Sequence, residues 1–483
     1  MRKAKRFTAA LFCGTVMMTA FPLNPVLAAD DAPAASEPVT MDCVVTMDGT
    51  TATASNDKVQ IEGGKITITA SGAYEFSGKL EDGQIYVNVP DPKTDTGTVK
   101  LFFNGVDITG KSNAAVLINN AKNTSINLAD GSENLIHDGE TYPEGITAAV
   151  YAKDDLTIKA GGETGDGKLR IEAAKYQGIH CSNKLKITGG NIKVKADAED
   201  GVRGKESVTI KGGKLDVNAD GDGIKSTKGT VTIEDGKVEV KAGKDAIQGE
   251  TNVLIKGGDI KANGDRGITN VGAAPKKTDE DEETPQAVSG VTIMGGTVFA
   301  TSTKDTLKEG QTEADLKDNT FKINPNSIQP VLLVTTSEQQ VKDQRVQLKN
   351  QATEAEIINK NPNKKFDYIL FSSPDMKVGE TYSVFINEKA AENGTVKLEQ
   401  VITAVENVVN VNPKVVVEDD PYDINCDGSV DVSDVVLLCR FIVADKDLVV
   451  SDAMVAKMDV DGNGKTEPDD ATKILRKIAR LDP

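Results

Sequence analysis

The chain has 483 residues, with 74 acidic side chains against 56 basic ones, a formal charge of −18, only 4% aromatic residues and no Trp. That acidity excludes nucleic acid as a natural partner and suits cation binding. The missing Trp excludes a flat tryptophan platform for cellulose, and the length allows two or more domains with sizeable cores.

Residues 1–28 read as a secretion signal. Arg2, Lys3, Lys5 and Arg6 precede an apolar run, and Val26-Leu-Ala28 supplies small residues for cleavage. Bulky Phe12 before Cys13 argues against lipidation. Without the leader the charge becomes about −22, and four cysteines remain, Cys43, Cys181, Cys426 and Cys439, with no zinc-like spacing. No later apolar run reaches the ~18 residues of a membrane helix. A soluble, secreted, extracellular protein is expected. Residues 29–40, rich in Ala, Pro and Ser, read as a linker.

Residues 41–319 carry short β-branched runs that settle into a repeat. Gly178-Ile-His-Cys-Ser182, Gly201-Val-Arg-Gly204, Gly223-Ile-Lys-Ser226, Ala246-Ile-Gln-Gly249 and Gly267-Ile-Thr-Asn270 recur every 21 to 23 residues. Each is followed by a second strand such as Val208-Thr-Ile210, a Gly-Gly or Asp-Gly turn, and a third strand such as Leu215-Asp-Val217. Three short alternating strands per ~22 residues predict coils of a right-handed parallel β-helix, an all-β solenoid whose neighbours share an aliphatic core. An acidic, Pro-containing insert at 272–288 interrupts the last coil. Residues 320–400 leave the repeat and read as an irregular β-rich cap, with 401–421 a linker.

Residues 422–483 hold two twelve-residue acidic loops, each running into an apolar helical segment. Positions 1, 3, 5, 9 and 12 are Asp423, Asn425, Asp427, Asp431 and Asp434 in one loop. They are Asp459, Asp461, Asn463, Glu467 and Asp470 in the other. Gly428 and Gly464 stand at the central turn, and Ser429 and Lys465 offer a backbone carbonyl at position 7. Alternating oxygens around a sharp turn are what Ca²⁺ requires, so two ions are expected here. The segment resembles a type I dockerin, which implies a cohesin domain on a bacterial scaffold as partner. The resemblance places cohesin recognition on Val432, Ser433, Cys439 and Arg440, and on Pro468, Asp469, Leu475 and Arg476.

In the repeat, acidic residues precede successive coil starts. At a coil spacing of ~4.8 Å, Asp200, Asp222 and Asp245 form a column of like charges. A Ca²⁺ ion bridging coils through Asp197, Glu199, Asp200, Asp220, Asp222 and Asp245 would relieve it; a set of solvated turn residues is the alternative. Just past the turn stand His180, Arg203, Lys225, Gln248 and Thr269, a polar and basic row suited to a carboxylated sugar polymer. A mixed solvated face is the alternative there. The Asp-Gly-Ile-Lys coil starts, the Gly-Gly turns and the Phe371-Ser-Ser-Pro-Asp-Met-Lys-Val-Gly-Glu-Thr-Tyr382 segment resemble the carbohydrate-binding β-helix proteins of cellulolytic clostridia. Those look like pectate lyases but bind polygalacturonate and cellulose. The resemblance implies a cellulosomal polysaccharide binder. A calcium-dependent pectate lyase, with Lys225 or Arg203 as base, is the second reading. A structural spacer or adhesin is the third.

Overall fold

The computed structural model describes residues 39–139, 141–272, 289–304, 321–409, 421–425, 430–446, 448, 450, 452–455 and 457–479. The expected leader, most of the 29–40 linker and most of the acidic insert lie outside them. The chain divides into Met1–Val39 and Thr40–Pro483, and the account below concerns the second unit.

The described chain is mostly β. Along its middle, strands recur in threes and each pairs in parallel with the strand three places on. Gln177–Cys181, Val202–Gly204, Ile224–Ser226, Asp245–Gly249 and Arg266–Asn270 stack in a ten-stranded sheet. The second and third strands of each coil, such as Ser207–Ile210 and Lys214–Ala219, stack in a 21-stranded sheet. Period-2 alternation sends one side of each strand inward. Ile179, Val202, Ile224, Ile247 and Ile268 form one ladder, and Ile187, Ile210, Ile233, Ile255 and Ile293 another, none more than 1% exposed. Each such side chain contributes about 1.5–3 kcal/mol through burial.

Glycine is required where coils come closest. A Cβ on Gly201 would sit 2.3 Å from Val217 Cγ1, so the coil start lies directly against the third strand. Gly213, at φ +83, turns each coil between its second and third strands, and a Cβ there would meet the Gly190 carbonyl at 2.6 Å.

Beyond the parallel coils, the large sheet is mixed. Cys43–Gly49 and Thr51–Ala54 form an antiparallel hairpin. Thr297–Ser302 pairs antiparallel with Phe366–Ser372, which pairs antiparallel with Val331–Gln340. Ile402–Val408, in the stretch expected to be a linker, is a strand running parallel to Val331–Gln340. Val346–Asn350, Glu356–Lys360, Thr381–Ile386 and Lys389–Lys397 make a separate antiparallel sheet. Its core includes Phe299, Phe366, Phe371 and Tyr382. Lys364 Nζ donates to the carbonyls of Ala242 (2.7 Å) and Gly243 (3.1 Å) and to Asp265 Oδ1 (2.8 Å), tying this region to the coils.

Near the C-terminus, α1 (Val432–Ile442), α2 (Asp452–Val455) and α3 (Pro468–Ile478) enclose Ile424, Val435, Leu438, Met458, Ala471 and Ile474. Asp431 caps α1 in a reciprocal box with Asp434, and Glu467 and Asp470 do the same for α3, where Pro468 sits at the first turn.

Candidate functional site: an outer row anchored by a buried column

Asp200, Asp222 and Asp245 stack as expected and are 6%, 3% and 3% exposed. Their charges are answered from within the protein. Asp200 Oδ1 accepts the N–H of Asp222 (2.9 Å), and Asp222 Oδ1 accepts the N–H of Asp245 (3.0 Å). Each second oxygen serves the residue three places on. Arg203 Nη1 lies 3.5 Å from Asp200 Oδ2, Lys225 donates to Asp222 Oδ2, and Gln248 donates to Asp245 Oδ2. Arg266 closes the column, its Nε and Nη2 each donating to Asp245 at 2.5 Å. Burial pushes the carboxyls of Asp200 and Asp245 above the ordinary range, while these donors pull them back. Backbone N–H groups and cationic side chains thus face the carboxylates of the column. Asp197, Glu199 and Asp220 are exposed beside the column, and Asp197 pairs with Lys195 at 2.6 Å.

The column and the outer row are one device, and it begins one coil earlier than the acidic pattern suggests. Gly178 pairs with Gly201 through its N–H to the Asp200 carbonyl, so Gln177 occupies the column position on its coil. Gln177 Oε1 lies 2.8 Å from His180 Nδ1, repeating the same three-residue step with an amide in place of a carboxylate. Strand register then aligns Tyr86, Leu117, Tyr151, His180, Arg203, Lys225, Gln248 and Thr269 across the ten-stranded sheet. Tyr151 stacks on His180 with centroids 4.8 Å apart. Thr147 Oγ1 lies 3.2 Å from His180 Nδ1, and Ser182 Oγ lies 3.3 Å from Nε2. Burial, helped by the charges of Arg203 and Lys205, pushes the His180 pKa down to about 4, so the imidazole is neutral at pH 7.

Beside Leu117 and Tyr151 lie Tyr86, Tyr142 and Ile146, and Tyr142 stacks on Tyr176 at 4.1 Å. The sequence reading assigns no site role to Gln177, Ser182, Tyr151, Tyr86 or Arg266. The step from Gln177 to His180 was visible in it, had the coil start been taken three residues before His180 rather than at Gly178.

In the second acidic loop, oxygens of Asp459, Asp461 and Asp470 lie within 4.8 Å of one another. Asp470 is fully buried and accepts the N–H groups of Val460 (2.8 Å), Asp461 (3.1 Å) and Glu467 (2.8 Å). Asn463 Nδ2 bonds Glu467 Oε1 at 2.9 Å, and Lys465 donates its N–H to Asn463 Oδ1 at 2.9 Å. The first loop repeats the plan: Asp434 is fully buried and accepts from the N–H groups of Asn425 (3.0 Å) and Asp431 (2.9 Å). Asp423 is also buried. Asp427 and Ser429 lie outside the described residues. Hard oxygen donors gathered around a turn, with Gly464 at φ +84, fit Ca²⁺. All eight expected recognition positions, Val432, Ser433, Cys439, Arg440, Pro468, Asp469, Leu475 and Arg476, are exposed. Val436 and Val443, 51% and 74% exposed, extend the apolar face of α1 beyond them.

The carbohydrate-binding domain-containing protein family matches residues 62–327, which hold both the column and the row. The chain belongs to that family. The type I dockerin domain matches residues 421–479. A carbohydrate-binding domain-containing protein of Acetivibrio thermocellus is 38% identical over 141 residues, 28% of this chain and 46% of that relative, so the match spans about half the relative's length. A solved structure described as the polysaccharide lyase-like protein from C. thermocellum, as a gadolinium derivative, is 35% identical and covers 45% of this chain and 92% of its own, with a TM-score of 0.40.

Proposed function

We propose that this is a secreted, cellulosome-borne carbohydrate-binding protein. Its coils wind into a right-handed parallel β-helix whose outer row holds an acidic plant polysaccharide, polygalacturonate first and cellulose second. Its dockerin fixes it to a cohesin. The observation that carries the reading is the register of Tyr151, His180, Arg203 and Lys225 on one sheet face, at steps of ~4.8 Å. Arg203 and Lys225 are tethered by buried carboxylates, so a ligand meets cations already oriented.

Calcium, in this reading, belongs to the dockerin. Asp423, Asn425, Asp427, Asp431, Asp434 and the Ser429 carbonyl would hold one ion. Asp459, Asp461, Asn463, Glu467, Asp470 and the Lys465 carbonyl would hold the other. Bound there, calcium supplies charge neutralisation that lets the loops fold.

The lyase reading asks Lys225 or Arg203 to accept a proton, yet both are committed as donors to buried aspartates. The test uses the full chain on immobilised polygalacturonate, following retention together with the ultraviolet absorbance of an unsaturated uronate. Retention with flat absorbance is expected, weakened about tenfold or more in Arg203→Gln with Lys225→Gln. Rising absorbance would make the protein a lyase. Neither signal would leave a spacer.

A further inference from the structure

Resting on that binding reading, we propose that the row is split into an uncharged subsite and a cationic subsite on adjacent coils. It then recognises a polymer in which an uncharged sugar, neutral or ester-capped, lies beside a free uronate. Each coil presents two outward residues. His180 and Ser182 stand on one, Arg203 and Lys205 on the next, and Lys225 and Thr227 on the one after.

The character of each pair follows its anchor in the column. On the coils of Asp200 and Asp222 the anchor is a carboxylate and the row residue a cation; the pairing ends at Asp245, whose charge Arg266 takes up and whose row residue is the neutral Gln248. Where the anchor is the amide of Gln177, the row residue is a histidine whose Nδ1–H donates to Oε1 at 2.8 Å. That fixes the tautomer with the Nε2 lone pair toward Ser182 Oγ, 3.3 Å away. Tyr151 locks the ring from the other side, and its hydroxyl lies 3.4 Å from Ser182 Oγ. The groups facing His180 are Thr147, Tyr151, Gln177, Ser182, Arg203 and Lys205. None is a carboxylate, and the two cations oppose a third charge.

The outcome is a patch of two uncharged hydrogen-bonding groups, His180 Nε2 and Ser182 Oγ, held by the largely buried Tyr151 hydroxyl, one coil from a pair of cations. A sugar hydroxyl can both donate and accept there. A free carboxylate placed on this patch would lose water without gaining a directly paired cation, so the patch selects against it. Arg203 and Lys225, by contrast, favour a carboxylate.

The experiment measures affinity of the full chain for three length-matched polygalacturonates: fully de-esterified, partially methyl-esterified and fully esterified. The wild-type chain should bind the partially esterified polymer about tenfold tighter than either extreme. Gln177→Glu gives His180 the carboxylate partner that Arg203 and Lys225 already have. It should shift preference to the fully de-esterified polymer and raise the His180 pKa followed by imidazole NMR. Because Gln177 is buried, Ser182→Lys, at a half-exposed turn, provides an independent route to the same shift. Equal wild-type affinity for all three, or a preference unmoved by both variants, would overturn the split row while leaving binding intact. Retention of none of them would overturn the binding reading itself.

Discussion

Two trios of aspartates in this molecule solve the same electrostatic problem in opposite ways. Asp200, Asp222 and Asp245 are buried at the edge of the coils, and each is answered by a neighbouring coil's N–H, a basic side chain or both. Asp459, Asp461 and Asp470 crowd their oxygens within 4.8 Å. Their hydrogen-bond donors among the described residues are neutral: the N–H groups of Val460, Asp461, Asn463, Gly464 and Glu467 and the Asn463 amide. The stacked repeat carries its own cations, three residues after Asp200 and Asp222 and on the next coil for Asp245. The second twelve-residue loop shows only neutral donors among the described residues, and its remaining charge calls for an ion from solution.

The sharpest way to break the comparison is to remove calcium. Chelation should unfold the dockerin while the coils keep their own melting transition, because the described donors to Asp459, Asp461 and Asp470 are all neutral. Asp470→Ala should do the same in saturating calcium, since it removes a ligand and strands three N–H groups at once. Calcium titration by calorimetry, with scanning calorimetry of both transitions, checks it; an Asp470→Ala chain that still binds two ions would overturn the loop assignment.

A smaller effect is expected in the coils. Asp222→Ala strands the buried Asp245 N–H and frees Lys225 to solvent, a loss of about 1–3 kcal/mol. Because the balancing charge is internal, that loss should be the same in calcium and in chelator. A deficit seen only in calcium would show that an ion bridges the coils after all.

How much of this was legible in the sequence depends on how local each feature is. The dockerin loops are local: spacing alone names Asp459, Asp461 and Asp470, and the structure brings them together. The coil repeat is local too, since Gly201 and Gly213 answer steric demands within one or two coils. The column's stacking follows from the repeat length. What it bonds to does not, because Asp222's N–H reaches Asp200 only through coil-to-coil register. Tyr151 was hidden for a related reason. Its coil stands 29 residues before His180 and has Ala149 where that coil has Gly178, so the repeat is weaker where the row continues. The strand Ile402–Val408 is the opposite case: it lies in a stretch that runs on through Asn412-Pro413 and Glu418-Asp-Asp-Pro421 and reads as linker, and tertiary pairing with Val331–Gln340 makes it a strand.

The smallest expected effect separates the uncharged end of the row from its cationic neighbours by pH. An unfolded histidine titrates near 6.5, whereas burial and the charges of Arg203 and Lys205 hold His180 down to about 4. Between those values the unfolded chain binds the extra proton and the native chain does not. The His180 contribution to stability is therefore fully present above pH ~6.5 and is lost as pH falls toward ~4. His180→Gln keeps a polar side chain but cannot titrate, so the difference in melting temperature between wild type and variant should narrow across that window. Asp200 and Asp245 titrate in the opposite sense, since a raised carboxyl makes the native chain bind more protons as pH falls. They are common to both chains and cancel in the difference. A difference independent of pH would mean that His180 carries its ordinary pKa, and that the uncharged character of its subsite depends on the solution and not on the fold.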